Sequence, residues 1–555
     1  MNKKVCSFPI LFALLALLIG TCAVVFPASA QAVPTSTGSI TVSGTVARSY
    51  DAYQIFSANV VDGDSDAKIA TDLAWASDAV RDAALPVLHS AGMPNSQATA
   101  QEAAEWLTTD SHLTSALSAQ LARSLQNSGA VSMALNAGGA AELSCGYWLI
   151  VADDAIAQGE AGTAPIMALV GGSAVTVKPK AATPKVQKHV LEDSTAAWQK
   201  AADATVADDL YWRLSATVPA GLTAYDTYTV RFVDTMSAGL DPSKAAASMR
   251  VYVAAGADGG FDAVSAGKDG RAGTEPAKGW TDITAQCATK VAADGKTFTV
   301  RTGDLIAALG GADAFTAGAR VVAVYNAPLN SACNHGIAKG NPNEVYLRYP
   351  RSPFADQSGD AGFTRTPSDD ACAYTWDLAL TKRGSDGDKP LAGAVLSITD
   401  DRGRTLAADG TWDADGKATV TTGEDGRVTV SGVDSGKLEV RELKAPKGYA
   451  AFEGTRSVTV KAEGLDVDQV AAAKPKLTIT AESPLRADSA DGSTGSLEAS
   501  LINTPTGTPP SITAGGFMPS TGDMAMYAAA AAAVAGAALI VVALLVKRGG
   551  GSHKE

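Results

Sequence analysis

The stretch Leu438-Glu-Val-Arg-Glu-Leu-Lys-Ala-Pro-Lys-Gly-Tyr449 decides the fold of the C-terminal part of this 555-residue chain. Apolar residues alternate through its first half, as in a strand with one buried face, and Pro-Lys-Gly then ends the strand. Four similar segments, at 374–382, 390–398, 427–431 and 497–503, surround it and are separated by turns rich in Gly and Asp. Short alternating segments of this kind predict a β-sandwich over residues 373–506.

Three residues of this predicted sandwich have complementary chemistry: Lys382 in the first strand, Glu442 in the quoted stretch and Asn503 in the last strand. A lysine amine is nucleophilic only when it is unprotonated, which a buried apolar site favours. An asparagine carboxamide offers an electrophilic carbon with ammonia as the leaving group. A carboxylic acid kept protonated in the same core can polarise that carbonyl and carry the proton. The alternative is a surface glutamate at 442 beside Arg441 and Lys444.

Lys382, the Glu442-x-x-Ala-Pro-x-Gly-Tyr449 block and Asn503 resemble the CnaB module, the SpaA-like prealbumin-type domain of Gram-positive surface proteins. Leu438 stands where that family usually has Tyr. The resemblance implies an isopeptide bond between Lys382 and Asn503, formed with Glu442 as the catalytic acid, and first and last strands that lie side by side. This is a single self-modification and not an enzymatic activity.

Residues 184–372 predict a second sandwich with a similar set of residues. Val186, Lys188 and Val190 fall on one face of a strand, so that Lys188 faces the core if the valines do. Asp234 lies in an apolar strand at 228–235, and Asn343 opens the final strand. These segments resemble the immunoglobulin-like second domain of Gram-positive pilins, which implies a Lys188–Asn343 bond with Asp234 as the catalytic acid.

The segment after that strand departs from the family. Pilins often continue Tyr-Ser-Asn-Asn-Pro, whereas this chain reads Tyr349-Pro-Arg-Ser-Pro353. If the reactive Asn belongs there, the second domain forms no bond. Cys333 and Cys372 would then be candidates for a disulfide that holds the domain together.

Residues 36–178 predict a mixed α/β domain. Strand patterns at 39–46 and 53–56 precede helical spacing of apolar residues at 67–88 and 96–127, and strand patterns return at 146–151, 164–170 and 174–177. The segment Tyr50-Asp-Ala-Tyr-Gln-Ile-Phe56 resembles the opening strand of the N-terminal domain of sortase-assembled pilins. Lys68 is the only lysine between residues 33 and 177, so this domain has almost no means of forming an internal lysine cross-link.

The junction Lys178-Pro-Lys180 belongs to a linker whose prolines keep it extended. In the pilin family this junction contains the lysine that attacks the sortase acyl-enzyme of the next subunit. Lys180 occupies that place, although the family's neighbouring Tyr and Asn are missing. The alternative is a solvated basic linker.

The C-terminal segment 517–555 contains Met-Pro-Ser-Thr-Gly, an uncharged run at 527–546 and then two basic residues. The run is long enough to cross a bilayer as a helix, and basic residues directly after it are typical of a cytoplasmic end. The order resembles the cell-wall sorting signal of Gram-positive surface proteins, with Met in place of the family's Leu. The implied recognition positions are Met518, Pro519, Ser520, Thr521 and Gly522.

This resemblance implies that a sortase cleaves after Thr521 and joins it to peptidoglycan or to a neighbouring pilin subunit. Residues 507–516, rich in Pro, Thr and Gly, would be the linker that exposes the motif. The alternative is a tail-anchored membrane protein in which the motif has no role.

Residues 1–30 have the charged start, apolar centre and small-residue end of a secretory signal peptide. Cleavage is expected after Ala30, or after Ala32 as a near alternative. A lipoprotein anchor at Cys22 is a further alternative.

Composition excludes several classes of function. The net charge of −13 and the lack of a basic patch with interleaved aromatics exclude a nucleic-acid binder. Four cysteines remain after processing, with no CxxC spacing and three possible full pairings, and the histidines are scattered, so neither a metal nor a cofactor is expected. Motifs such as GxSxG, HExxH or a phosphate loop are missing, so the chain is not expected to be an enzyme.

Together these patterns predict a mainly β protein: tandem immunoglobulin-like β-sandwiches preceded by a mixed α/β N-terminal pilin domain, plus a C-terminal transmembrane helix. The resemblance implies a secreted, cell-wall-anchored pilin or fimbrial subunit whose precursor is in the plasma membrane only before sorting. Its partners would be sortase, peptidoglycan or neighbouring pilin subunits, and a host surface ligand. The alternative is a monomeric wall-anchored adhesin that binds a ligand without polymerising.

Overall fold

The computed structural model describes residues 36–44, 48–64, 67–109, 111–153, 160, 162–179, 183–219, 222–256 and 278–507. These residues confirm the mainly β class, and we describe them as three units in series. The predicted signal cleavage site at Ala30, Lys180, the motif 518–522 and the apolar run 527–546 lie outside the described residues. Within the described ranges, none of the helices is both long and apolar enough to cross a membrane.

The first unit, up to residue 179, combines strands with three helices in its described part. Its strands are β1 (Thr37–Val42), β2 (Ser49–Asp62), β3 (Lys68–Trp75), β4 (Ser132–Asn136), β5 (Ala140–Ser144), β6 (Gly146–Ala152), β7 (Ile166–Val170) and β8 (Val175–Val177). Its helices are α1 (Asp78–Ser90), α2 (Ala100–Thr108) and α3 (Ser115–Ser128). The strands form the sheets β5-β1-β8 and β3-β2-β6-β7, and β4 also pairs with β2.

Each of these helices begins at a residue whose side chain caps a free backbone amide. The hydroxyls of Ser77, Thr99 and Thr114 accept hydrogen bonds from the first turns of α1, α2 and α3. Glu102 completes a capping box with Thr99. Helix α3 ends at Gly129 with φ 74°, a left-handed conformation that glycine adopts without a steric cost.

The region 67–88, predicted to have helical spacing, begins with a strand instead. Lys68–Trp75 forms β3 and pairs antiparallel with β2, with Asp62 opposite Lys68 and Phe56 opposite Trp75. Ala70 and Ala74 fit a helical period as well as a strand. The free edge of β2 offers ladder hydrogen bonds to this segment, and such tertiary pairing overrides a weak local pattern. The helical region 96–127 is likewise divided into α2 and α3.

The second unit, residues 183–374, is a sandwich of two sheets. Its strands are β9 (Val186–Glu192), β10 (Ala197–Gln199), β11 (Ala201–Asp203), β12 (Tyr211–Thr217), β13 (Arg231–Met236), β14 (Arg250–Ala254), β15 (Thr281–Asp282), β16 (Ala288–Val291), β17 (Thr297–Arg301), β18 (Arg320–Asn326), β19 (Asn341–Pro350), β20 (Phe363–Arg365) and β21 (Asp369–Tyr374). Its short helices are α4 (Pro242–Ser248) and α5 (Leu305–Ala308), with 3-10 turns at Leu222–Ala224, Thr284–Gln286 and Ala312–Ala314. The sheets have the orders β10-β9-β12-β18-β14-β15 and β11-β21-β19-β13-β17-β16, and β20 pairs with β19.

Asn343 lies in β19, which is not the final strand of this unit as predicted. The chain continues through β20 and β21, and both pair antiparallel with β19. The segment of β21 begins with Asp369-Asp370 and has little apolar alternation, so its sequence pattern does not predict a strand. Its place is decided by the exposed edge of β19, which it completes.

The third unit, from residue 376, is a second sandwich. Its strands are β22 (Trp376–Gly384), β23 (Val395–Thr399), β24 (Thr405–Leu406), β25 (Trp412–Asp413), β26 (Val420–Thr421), β27 (Arg427–Val433), β28 (Gly436–Lys444), β29 (Thr455–Glu463), β30 (Lys476–Ala481), β31 (Leu485–Asp491) and β32 (Ser496–Asn503), with a 3-10 turn at Val470–Ala472. The sheets are β27-β22-β32-β31 and β25-β24-β23-β28-β29-β30, with β26 on β23. The apolar residues of both sheets form one buried cluster between them.

The second and third units are joined by direct contacts as well as by the chain. Only Thr375 separates β21 from β22. The indole nitrogen of Trp376 donates to Asp203 of the second unit at 2.6 Å. Arg402 and Arg404 of the third unit each donate to Asp208 of the second unit at 2.7 Å. This junction therefore combines a short connection with charge-assisted hydrogen bonds.

Candidate functional site

In the third unit, Lys382, Glu442 and Asn503 meet in the core between the two sheets. Lys382 is on β22 and Asn503 on β32, which are parallel neighbours with Lys382 opposite Leu501 and Gly384 opposite Asn503. Glu442 is on β28, in the facing sheet. The first and last strands of the unit thus lie side by side, and the opposite sheet places a carboxyl group against them.

The side chains of these three residues are in direct contact. The Asn503 Nδ2 donates to Glu442 Oε1 at 2.9 Å and to Oε2 at 3.0 Å. The Lys382 Nζ lies 3.4 Å from Glu442 Oε1 and donates to the Leu501 carbonyl at 3.3 Å. The backbone amide of Phe452 donates to Glu442 Oε2 at 3.1 Å. One carboxyl group therefore touches both the amine and the carboxamide.

Burial changes the chemistry of the Lys382 amine. The Lys382 and Glu442 side chains are both 0% exposed. Desolvation lowers the pKa of Lys382 from 10.5 to about 8, against the opposing charge of Glu442. Glu442 is buried, whereas Arg441 and Lys444 on the same strand are exposed. Glu442 is therefore a core residue and not a member of a surface charge cluster.

In the second unit, Lys188, Asp234 and Asn343 form a similar group that spans the two sheets. Lys188 is on β9, and its valine neighbours Val186 and Val190 are buried with it. Asp234 on β13 and Asn343 on β19 belong to the other sheet, where β13 and β19 are antiparallel neighbours. The alternation of β9 thus directs the lysine across the sandwich towards the acid and the amide.

A tyrosine links the members of this second group. The Lys188 Nζ donates to Asp234 Oδ2 and, at 2.9 Å, to the Tyr325 hydroxyl. That hydroxyl donates to Asp234 Oδ2 at 2.9 Å. The Asn343 Nδ2 donates to the same hydroxyl at 2.9 Å. Asn343 therefore reaches the acid through Tyr325, whereas Asn503 reaches Glu442 directly.

Lys188, Asp234 and Asn343 are each 0% exposed. Desolvation lowers the pKa of Lys188 from 10.5 to about 8, although the charge of Asp234 opposes the change. Desolvation raises the pKa of Asp234, and the Lys188 charge again acts in the other direction. Both shifts favour the neutral forms of an amine and an acid in contact, which is the state that amide chemistry requires.

Three buried oxygen atoms in the two groups have no hydrogen-bond partner among the described residues: Asp234 Oδ1, Asn343 Oδ1 and Asn503 Oδ1. An unpaired buried oxygen costs free energy. A protonated acid that donated to such an amide oxygen would polarise the carbonyl for attack by the lysine.

Tyr325 was not predicted as a site residue. It lies in the segment Val-Tyr-Asn of β18, next to Asn326, and its side chain is buried with the apolar residues of that strand. A tyrosine at an inward position of an apolar strand does not by itself predict a catalytic role. The alternation of Tyr325 with Ala323 predicts only that its ring lies on the core face of the strand.

The cysteines form no disulfide in the described part of the chain. Cys145, Cys287, Cys333 and Cys372 are free thiols, so the suggested Cys333–Cys372 bridge is not present. The Cys333 sulfur faces His335 at 3.6 Å, and Cys372 is buried, with its pKa raised to about 11 by desolvation. The two thiols thus have different surroundings. Among the described residues, no group of three or more His, Cys, Asp or Glu could hold a metal ion.

A family model identifies the third unit. The model described as "SpaA: Prealbumin-like fold domain" matches residues 377–474, which contain Lys382 and Glu442. A curated relative, the trypsin-resistant surface T6 protein of Streptococcus pyogenes serotype M6, is 30% identical over 143 residues. That match covers 24% of this chain and 24% of the relative. The chain thus spans about a quarter of the length of the curated relative it matches.

Solved structures of major pilins are similar in architecture. The T6 backbone pilin of S. pyogenes serotype M6 is 17% identical with a TM-score of 0.46, and the similarity covers 85% of this chain and 98% of that chain. The major pilin SpaD of Corynebacterium diphtheriae is 16% identical with a TM-score of 0.42, over 85% and 98% of the two chains. The assignment of residues 377–474 to a prealbumin-like domain of the SpaA type comes from the family model. The relatives and solved structures named above are surface proteins and pilins of Gram-positive bacteria.

Proposed function

We propose that this chain is a secreted, wall-anchored pilin subunit that is stabilised by two internal Lys–Asn isopeptide bonds. The observation that carries the proposal is the occurrence of two fully buried lysines, each in contact with a buried carboxyl group and close to a buried asparagine. A charged lysine is costly to bury, so a fold that buries two of them beside amides supports a role in which the charge is removed covalently.

The proposed reaction balances without a cofactor. The neutral Lys382 amine attacks the Asn503 carboxamide carbon, and the new C–N bond forms as the bond to Nδ2 breaks. One proton moves from the attacking to the leaving nitrogen, which departs as ammonia. Glu442, protonated, donates to the amide oxygen and transfers the proton. Lys188, Asp234 and Asn343 would follow the same course, so each molecule undergoes two single-turnover reactions.

The chain would be exported and then joined to its partners by a sortase. The exported protein would consist of domains 36–178, 184–372 and 373–506, released from its signal peptide after Ala30. A sortase would cleave after Thr521 and transfer it to Lys180 of a neighbouring subunit or to peptidoglycan. The prealbumin-like domain at 377–474 and the signal-like sequences at both ends support this assignment.

The first experiment is the intact mass of the ectodomain, residues 33–516, under reducing conditions. Each isopeptide bond expels one ammonia and lowers the mass by about 17 Da. Two losses are expected, and peptide mapping should recover one cross-linked pair that joins Lys188 to Asn343 and another that joins Lys382 to Asn503. A mass equal to that of the unmodified chain would refute the self-cross-linking mechanism.

The second experiment tests polymerisation. The full chain expressed with its sortase should give a ladder of covalent polymers on a denaturing gel. Lys180→Ala should abolish the ladder, whereas Lys178→Ala, two residues away in the same linker, should leave it intact. A ladder that survives Lys180→Ala refutes this lysine as the acceptor. Monomeric wall-linked protein in the wild type would identify a non-polymerising adhesin.

A further inference from the structure

In the described part of the chain, the Tyr325 hydroxyl contacts the amine, the acid and the amide of the second group. It lies 2.9 Å from the Lys188 Nζ, 2.9 Å from Asp234 Oδ2 and 2.9 Å from the Asn343 Nδ2. The two nitrogens are the ones that exchange a bond in the proposed reaction. Tyr325 thus occupies the position between the attacking and the leaving nitrogen.

This arrangement matters because of the proton that the reaction has to move. When the neutral Lys188 amine adds to the Asn343 carbon, the Nζ gains positive charge and must lose one proton. The Nδ2 must gain one proton before it can leave as ammonia. A group that contacts both nitrogens is placed for general acid–base transfer between them.

The two groups of this chain differ in which residue meets that requirement. In the third unit, Glu442 itself contacts both nitrogens, at 3.4 Å from the Lys382 Nζ and at 2.9 and 3.0 Å from the Asn503 Nδ2. In the second unit, Asp234 contacts the lysine, but the hydrogen bond of the Asn343 Nδ2 goes to Tyr325. In the third unit the carboxyl group therefore contacts both nitrogens between which the proton moves. In the second unit it contacts only the lysine nitrogen.

We propose that Tyr325 is a catalytic proton relay for the second bond, an inference that rests on the proposed function. The hydroxyl takes a proton from the Lys188 Nζ and gives its own proton to the Asn343 Nδ2, so the tyrosine ends unchanged and ammonia leaves. Asp234 keeps its proposed role as the catalytic acid, and its Oδ2 contacts both the Lys188 Nζ and the Tyr325 hydroxyl. The third unit needs no such residue.

The surroundings of Tyr325 suit a relay that moves both protons together. The ring is held edge-on against Phe298, with centroids 5.1 Å apart and an interplanar angle of 83°. Burial holds the pKa of Tyr325 well above 10, so that a free phenolate is not formed between the two transfers. A hydroxyl fixed by packing is oriented for transfer before the reaction begins.

The test uses Tyr325→Phe, which removes the oxygen and keeps the ring. The ectodomain is made in a short cell-free pulse, quenched in denaturant at intervals, and digested to follow each cross-linked peptide pair. The Lys188–Asn343 pair is expected to form about 100-fold more slowly than in the wild type, within the range for loss of a general acid–base group. The Lys382–Asn503 pair in the same molecules should form at the wild-type rate.

Two controls separate a relay from a structural role. Tyr228→Phe removes another buried hydroxyl from the same core, one that packs against Tyr225 instead of the reacting group, and should leave the rate unchanged. Lys188→Ala, which cannot cross-link, is compared with the Lys188→Ala/Tyr325→Phe double variant. Equal melting temperatures for these two support the relay, and a much lower one for the double variant identifies a packing role and overturns it.

The outcomes also distinguish this proposal from the proposed function. If the wild type never forms the Lys188–Asn343 pair, the self-cross-linking of the second unit fails, and the relay falls with it. If the wild type forms the pair and Tyr325→Phe forms it at the same rate, only the relay is refuted.

Discussion

Replacement of Glu442 by Gln tests the link between the third-unit site and its stability. Gln has nearly the same shape as Glu and can fill the same space beside Lys382 and Asn503, but a carboxamide cannot act as the acid. The Lys382–Asn503 bond should not form, so the mass of the variant should be about 16 Da higher than that of the wild type, because it keeps one ammonia of about 17 Da and the change from Glu to Gln removes about 1 Da. The second unit should keep its bond and serve as an internal reference.

The expected loss of stability follows from the length of chain that the bond closes. Lys382 and Asn503 enclose a loop of roughly 120 residues, and in the chain-entropy model a cross-link of this length stabilises the folded state by about 5 kcal/mol. For a domain of this size, 1 kcal/mol corresponds to about 3–5 °C, so the third-unit melting transition should fall by about 15–25 °C. Differential scanning calorimetry of the ectodomain measures this shift.

The variant Asn503→Ala separates the bond from the side chain that was changed. It also lacks the bond but keeps Glu442, so its melting transition should fall by a similar amount. A Glu442→Gln protein that still lost two ammonias would refute the role of Glu442. A protein that lost only one ammonia but melted at the wild-type temperature would refute the argument from loop closure.

The second-unit amine, the junction between the second and third units and the sorting motif can each be tested separately. Bond formation in the second unit should slow about tenfold per pH unit above pH 8. The reactive state, neutral Lys188 beside protonated Asp234, holds one titratable proton, and the pair loses that proton above the Lys188 pKa of about 8. Quenched time courses at several pH values measure the rate. Asp208→Asn should lower the free energy of unfolding by about 1–3 kcal/mol in urea titrations, since it weakens the charge-assisted hydrogen bonds from Arg402 and Arg404. Thr521→Ala should release the protein into the culture medium or the membrane fraction, because the proposed sortase forms its acyl-enzyme at Thr521 and would not recognise the altered motif.

Each of these three predictions would be refuted by a specific result. A rate that keeps rising to pH 10 would mean that the neutral lysine alone limits the reaction and that no acid is required. An Asp208→Asn protein with unchanged unfolding would show that the junction contributes nothing to the stability of the units it joins. Wall-linked protein from the Thr521→Ala strain would refute the sorting motif.

The residues of the third-unit site could be predicted because each carries a local signal. Lys382 and Asn503 lie in strands with clear alternation, and Glu442 begins the Glu-x-x-Ala-Pro-x-Gly-Tyr block that carries the resemblance to the CnaB module. The alternation of Val186 and Val190 likewise predicts the inward side of β9. In these cases the strand period of two residues was enough to tell which side chains enter the core.

Other features depend on contacts between strands that are distant in sequence, and no local sequence pattern predicts them. Tyr325 contacts Asn343 only because β18 and β19 belong to facing sheets, and no pattern within either strand encodes that distance. The strand β3 looks helical in sequence because Ala70 and Ala74 are compatible with either structure, and the edge of β2 decides the outcome. The strand β21 was missed because its first residues, Asp369 and Asp370, are polar, and Asp369 accepts hydrogen bonds from the second unit's own backbone and from Lys200.

The parallel pairing of β22 and β32 determines how the third unit would respond to a pulling force. The chain enters at the start of β22 and leaves at the end of β32, so tension on the two termini drags the strands past each other along their length. The eight paired positions from Asp377 to Gly384 then resist in shear and must fail together, instead of opening one after another like a zipper. With the proposed bond at the far end of this ladder, tension would pass straight from one strand to the other. The intervening loops would carry no load, and a protease cut in any of them would leave the fibre mechanically continuous.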